Sequence, residues 1–155
     1  MIKNSVKVLV FGIGNPLRSD DGVGVSVIEA LSKENLKATT VVSEGVSWID
    51  ILGAMIGYDR VIIVDAIQSG GEPGTIYKLS LDDLDHNNKL HAFSSHDINF
   101  LSMLEYGKDL LPEKIPEDII IIAIEAEDIT TISEKCTLKV EKAIKKAVEM
   151  IKELQ

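Results

Sequence analysis

The stretch Gly12-Ile13-Gly14-Asn15-Pro16-Leu17-Arg18-Ser19-Asp20-Asp21-Gly22-Val23-Gly24 decides the fold. It follows the apolar run Val6 to Phe11, which reads as a buried parallel strand. Beyond it, Gly22 to Leu31 carries Val23, Val27, Ile28, Ala30 and Leu31 at helical spacing, with Asp20 or Asp21 in position to cap the helix. A strand that passes through glycines straight into a helix is the first half of a parallel crossover.

The rest of the chain repeats that alternation. Ala38 to Ser43 is rich in β-branched residues and reads as a strand. Ser47 stands as an N-cap before Trp48, Ile51, Leu52, Met55 and Ile56, which share one helical face, with Trp48 as core filler. Val61 to Ile67 is the clearest buried strand, interrupted only by Asp65. The turn Gln68 to Pro73 is too short for a parallel crossover, so Gly74 to Leu79 is expected to run antiparallel to the strand before it. Leu81 to Asn88 reads as polar loop or a short helical turn. Asp97 to Tyr106 reads as a helix with Ile98, Leu101 and Leu104 inward and Gly107 as its C-cap. Asp118 to Ile124 is a further buried strand, and about Thr137 to Leu154 a closing amphipathic helix. The pattern predicts an α/β fold: a single three-layer domain over residues 1–155. Its mostly parallel twisted sheet of about five strands carries helices on both faces and one antiparallel strand.

Composition narrows the function. The chain has 155 residues, 45% apolar and 26% charged, as expected of a globular domain with a sizeable core. A formal net charge of −9, with no run of Lys or Arg, argues against a sequence-independent nucleic-acid surface. A single cysteine, Cys136, excludes an internal disulfide and a cysteine-cluster metal site, and no His lies nearby in sequence to activate it as a nucleophile. Neither a signal peptide nor an apolar run of membrane-spanning length is evident, so a cytoplasmic protein without a membrane partner is expected.

In an open α/β sheet, ligands bind at the carboxyl ends of the strands. Asp20 and Asp21 follow the first strand and Asp65 nearly ends the third, which predicts a shared acidic cleft. A dinucleotide loop, G-x-G-x-x-G, needs a third glycine where this chain has Leu17, and two fixed carboxylates repel a pyrophosphate. The cleft suits a cation better than a phosphate. Asp65 inside an apolar strand has to be paired, hydrogen-bonded or metal-bound; capping the turn through Ser69 or Gly70 N–H is the structural alternative. One of Asp20 and Asp21 can cap the helix while the other faces the cleft. Of the three histidines, His86 and His91 fall in polar loop sequence. His96 opens a predicted helix, and an imidazole beside two carboxylates suits a borderline cation such as zinc or nickel.

The residues then resemble a known family, the maturation endopeptidases of NiFe hydrogenases. The resemblance rests on Gly12 to Gly24 after the first strand, on VIIVDAI followed by a Gly/Pro turn and GTIYKL, and on SSHDI (Ser94 to Ile98) opening a helix. It spans nearly the whole chain. It implies a metal-dependent, aspartic-type endopeptidase that removes a C-terminal extension from the hydrogenase large-subunit precursor after nickel insertion. The family's metal-contacting positions map onto Asp21, Asp65 and His96, which are also the candidates for catalysis; the attacking nucleophile is unassigned. The nickel is expected to belong to the substrate and to be read as a recognition element. Asp20 becomes the capping or loop-supporting acid.

Glu44-Gly45-Val46-Ser47 stands where many members carry Asp-Gly-Gly-Thr, and Ala126 where a proline commonly follows the glutamate; both bear on substrate choice. The substrate contact surface is expected around the acidic cleft and the Leu81 to Phe93 loop. Two rivals share parts of this reading. A non-catalytic metal-sensing chaperone of the precursor would need the same three ligands. A nucleotide- or flavin-binding module would use the Gly12 to Gly22 loop, against the two aspartates.

Overall fold

In the computed structural model the first apolar run forms β1 (Val8–Gly12), two residues later than its hydropathy suggests, with Val6 left exposed. A 3-10 turn (Ser19–Gly22) leads into α1 (Val23–Ser32), then β2 (Thr39–Val42), α2 (Trp48–Met55) and β3 (Arg60–Ile67). β4 (Ile76–Ser80), α3 (Leu81–His86), α4 (Ser95–Leu110), β5 (Asp118–Glu125) and α5 (Leu138–Glu153) complete the chain. The structure describes residues 5–36, 39–42, 48–86 and 95–155; for 39–42, 48, 85–86 and 95–100 it describes the backbone alone.

Among the described residues the sheet has five strands in the order β2-β1-β3-β5-β4, with every neighbouring pair parallel except β4 with β5. β4 does run opposite to β3, as expected, but pairs with β5 instead of folding back on β3 as a hairpin. β5 inserts between them because its Ile119 to Ile124 run can be covered on both faces, the usual fate of such a strand.

Period-two alternation separates two cores. Val8, Val10, Ile62, Val64, Ile122 and Ile124 pack under α1 and α5. Leu9, Phe11, Val61, Ile63, Ile67 and Ile121 pack under α2, α3 and α4. This is the predicted α/β domain with helices on both faces.

The helix expected over Asp97 to Tyr106 is longer at both ends. Gly107 is not its C-cap: it lies inside α4 and is buried, where a Cβ would press on the Leu52 side chain of α2. The glycine serves helix–helix approach. Ile56 lies beyond the end of α2 and is exposed, so it is not part of the inward face. Among the described residues no helix is long and apolar enough to cross a membrane.

Candidate active site

The chain leaves β1 for β2 on one side and later returns to β3 on the other. That reversal opens a crevice at the carboxyl ends of β1 and β3. Gly12 pairs with Val64, and Ile13 N–H donates to Val64 O at 2.9 Å, so β1 ends opposite Val64. Asp65, the next residue, therefore stands where the loop after β1 departs. It is 4% exposed, and its Oδ1 accepts the Ala66 N–H at 2.8 Å. By alternation it shares the sheet face of Ile63 and Ile67, the face covered by α2 and α4.

The loop from 13 to 22 is closed by its own side chains. Asp21 Oδ2 accepts the Asn15 N–H at 3.0 Å, and Asn15 Oδ1 accepts the Leu17 N–H at 2.9 Å. Gly14 has φ +127°, and a Cβ there would overlap the Asp21 carbonyl, so only glycine fits the turn. A Cβ on Gly24 would collide with the carbonyls of Val64 and Ile13, and one on Gly12 with Gly24 O. Gly12 and Gly24 thus provide the close helix-on-strand approach that a dinucleotide loop obtains from its third glycine. Asp21 is left half-buried at the crevice.

Neither acid caps α1. Its N-cap is Gly22, without any side-chain bond. Asp20 turns the other way and is 0% exposed. Its Oδ2 accepts the N–H groups of Glu127 (2.9 Å) and Asp128 (3.0 Å), and its Oδ1 accepts that of Thr137 (2.7 Å). The Thr137 hydroxyl completes the set at 2.9 Å from Oδ2. Asp20 N–H in turn donates to Asp128 O at 2.9 Å. The buried charge is compensated by hydrogen bonds from three backbone amides and a hydroxyl. Asp20 is the loop-supporting acid, but it supports the loop after β5 and the start of α5.

The Ser69 N–H, one of the two amides expected to serve Asp65, goes instead to Glu125, which holds that turn. Its Oε1 accepts Ser69 N–H (2.9 Å) and Gly71 N–H (3.0 Å), and its Oε2 accepts the Ser69 hydroxyl (2.6 Å). Glu125 is 2% exposed, and its backbone bonds Gly74 N–H and Thr75 O at 2.8 and 2.9 Å. Sequence reasoning did not assign it a role, although a carboxylate ending an apolar strand is the same signal that singled out Asp65.

His96 is the second residue of α4, and its side chain lies outside the described set. Connectivity gives its helix a direction. α4 is followed by a short link into the amino end of β5, and a crossover helix runs opposite to the strand it feeds. Its first turn therefore lies toward the carboxyl edge, on the sheet face that carries Asp65. His86 ends α3. His91, Ser94, the 87–93 part of the expected substrate loop, Ser47 and the Glu44 to Ser47 segment fall outside the described residues. Among the described residues no group of three potential metal-ligating side chains comes together.

Cys136 is half-buried beside Ser19 O, 3.8 Å from Sγ. Burial pushes its thiol up, and the Asp20 charge adds to that. That is the opposite of an activated nucleophile. In the same loop, Asp128 accepts from the Thr131 hydroxyl and from the N–H groups of Thr131 and Thr130 at 3.0 and 2.9 Å. These bonds hold its carboxyl well below the usual range.

A family model described as HycI, hydrogenase maturation protease, matches residues 25–154. The chain is 35% identical over 149 residues to a candidate hydrogenase maturation protease of Methanocaldococcus jannaschii, covering 93% of each. It is 30% identical over 115 residues to the hydrogenase 2 maturation protease of Escherichia coli, covering 71% of this chain and 70% of that one. Among solved structures, the NiFe hydrogenase maturation protease HybD of Thermococcus kodakarensis superposes with a TM-score of 0.80 at 26% identity. That match covers 96% of this chain and 99% of the other.

Proposed function

The chain belongs to the hydrogenase maturation protease family, and from that premise we propose that it removes the C-terminal extension of a NiFe hydrogenase large-subunit precursor. In this reading cleavage follows nickel insertion, and the nickel is part of the substrate. Asp21, Asp65 and His96 are the groups that read it.

The observation that carries this reading is the division of labour between the two neighbouring acids. Asp20 is used up inside the protein, whereas Asp21 stays at the crevice, where among the described residues its carboxylate accepts the Asn15 N–H alone. Asp65 lies two residues before the end of β3, the strand against which the turn carrying Asp21 packs. Two oxygen donors and an imidazole leave an open side on a divalent ion, so they can share an ion that another protein already holds. Hydrolysis adds water across the scissile peptide bond, and a cation beside its carbonyl polarises that bond toward attack. The work is placed in the cytoplasm, on a protein partner.

The test is the mass of the host's purified large-subunit precursor after incubation with this protein, with and without prior nickel loading. A C-terminal truncation confined to the nickel-loaded sample is expected. A nickel-loaded precursor that binds yet stays uncut would replace the protease with a metal-sensing chaperone. A precursor that neither binds nor is cut would refute the substrate.

A further inference from the structure

Gln68 to Glu72 form an exposed turn, yet the group that fixes it is Glu125, a carboxylate only 2% exposed. Ser69 N–H, Gly71 N–H and the Ser69 hydroxyl all donate to it, at 2.9, 3.0 and 2.6 Å. Surface turns are ordinarily closed by their own Asn, Asp or Ser side chains. Burying a carboxylate from another strand for that purpose is costly. What it adds is rigidity in a stretch of chain that stands in water.

Register places that rigidity. Asp65 pairs with Ala123 and Ile67 with Glu125, so all four side chains share one face of the sheet. Glu125 stands one pleat nearer the carboxyl edge than Asp65, on the neighbouring strand. Since the Ser69 and Gly71 amides reach its side chain, the turn folds over that face just beyond Asp65. Tyr77 of β4 pairs with Ala123 and extends the Asp65 row, and a Cβ on Gly71 would press on its hydroxyl. The turn is therefore seated on Tyr77 as well. Behind it, Lys139 Nζ meets Glu72 Oε1 at 2.6 Å, and a Cβ on Gly74 would collide with Lys139 O, so the turn is braced against α5. α4, whose second residue is His96, begins toward this same edge on this same face.

We propose that Glu125 is a positioning residue for precursor processing: through the Ser69 to Gly71 turn it fixes the wall against which the scissile segment lies beside Asp65. The inference rests on the function proposed above and adds how the substrate backbone is kept in place. Glu125 acts through the turn, because it is buried and both its oxygens are engaged. Ser69, Gly70 and Gly71 carry no side chain larger than a hydroxymethyl group, so an extended polypeptide can lie close against their backbone. A wall that yields by about 1 Å lets the scissile carbonyl drift, a displacement that costs roughly a hundredfold in rate.

The experiment compares the wild type with Glu125→Ala, Glu125→Gln and Ser69→Ala on nickel-loaded large-subunit precursor. It reads kcat and KM separately, binding stoichiometry by titration, and amide exchange at Ser69 and Gly71. Glu125→Ala should lower kcat at least about tenfold, with KM within about threefold and an unchanged stoichiometry. Glu125→Gln should recover most of that loss, in step with its exchange protection. Ser69→Ala removes one bond from an exposed position and is expected to fold like the wild type. Its kcat should fall about threefold, and it decides the matter if Glu125→Ala does not fold. Wild-type kcat in variants whose turn amides exchange faster would overturn the positioning role and leave the protease reading standing. A fall in kcat that only mirrors a fall in binding stoichiometry would make Glu125 purely structural and overturn it too. A wild type that neither binds nor cuts would overturn the proposed function, and this inference with it.

Discussion

Asp20 and Thr137 lie 117 positions apart in sequence, yet Thr137 donates its N–H to Asp20 Oδ1 at 2.7 Å and its hydroxyl to Oδ2 at 2.9 Å. With the Glu127 and Asp128 amides on the same carboxylate, the loop after β1, the loop after β5 and the start of α5 become one unit. Asp21 is the next residue. Its position at the crevice is thus set by a knot that reaches across the molecule.

Asp20→Asn should therefore weaken both fold and function. An amide turns one of its faces from acceptor to donor, leaving at least one buried N–H opposed. The expected loss is about 2–3 kcal/mol in urea unfolding, together with slower processing. A variant of wild-type stability and rate would show that the knot is dispensable.

Asp21→Asn, Asp65→Asn and His96→Ala are each expected to lower processing of nickel-loaded precursor by at least about a hundredfold, since even outer-shell partners of a metal cost 10–100-fold. The Asn changes retain an acceptor for Asn15 N–H and Ala66 N–H, so circular dichroism and melting should stay close to wild type. His86→Ala should change the rate little. Full processing by the first three would remove the ligand assignment.

Glu125 is the second buried carboxylate that organises a loop. Truncation to Ala leaves the Ser69 and Gly71 amides without their acceptor, at a cost of roughly 2–4 kcal/mol. Glu125→Gln keeps one acceptor oxygen and should recover more than half of that. Amide hydrogen exchange at Ser69 and Gly71 reads the turn directly, and unchanged protection in the Ala variant would contradict the role.

Cys136→Ser should process precursor at close to the wild-type rate. Because burial and Asp20 raise the thiol, the reactive thiolate is scarce at neutral pH and forms only above the ordinary thiol range. Alkylation by iodoacetamide should stay slow at pH 7 and climb only under clearly alkaline conditions. Fast labelling at pH 7, or a dead Ser variant, would reinstate cysteine chemistry.

Gly24→Ala tests the close approach of α1. A methyl there meets the Val64 and Ile13 carbonyls, both backbone, so the helix must shift. A loss of about 1–3 kcal/mol is expected. A neutral outcome would mean that the helix has room that its contacts do not show.

The architecture was legible because its signals are local. Ile119 to Ile124 and Val61 to Val64 are buried runs whatever lies beside them, and the strand–turn–helix order at Gly12 to Gly24 leaves one crossover topology. The edges were less so. Gly107 looks like a helix end in sequence, since glycine is rare inside helices; contact with Leu52 of another helix is what keeps it inside α4. The pairing of β4 with β5 was equally hidden, because strand direction follows from a short turn whereas the choice of neighbour depends on a strand about forty residues later.

For the site, the sequence by itself determined that carboxylates would gather at the carboxyl ends of β1 and β3, because strand order and strand ends are encoded in hydropathy. The family resemblance then named Asp21, Asp65 and His96 as the ligand candidates. Only the tertiary structure decided which of two adjacent aspartates turns inward: Asp20 does, because the amides of Glu127, Asp128 and Thr137 converge on it from segments over a hundred residues away. It likewise gave the 69–71 turn to Glu125 rather than Asp65. A buried carboxylate goes where backbone donors happen to meet, and that meeting point does not exist until the chain has folded.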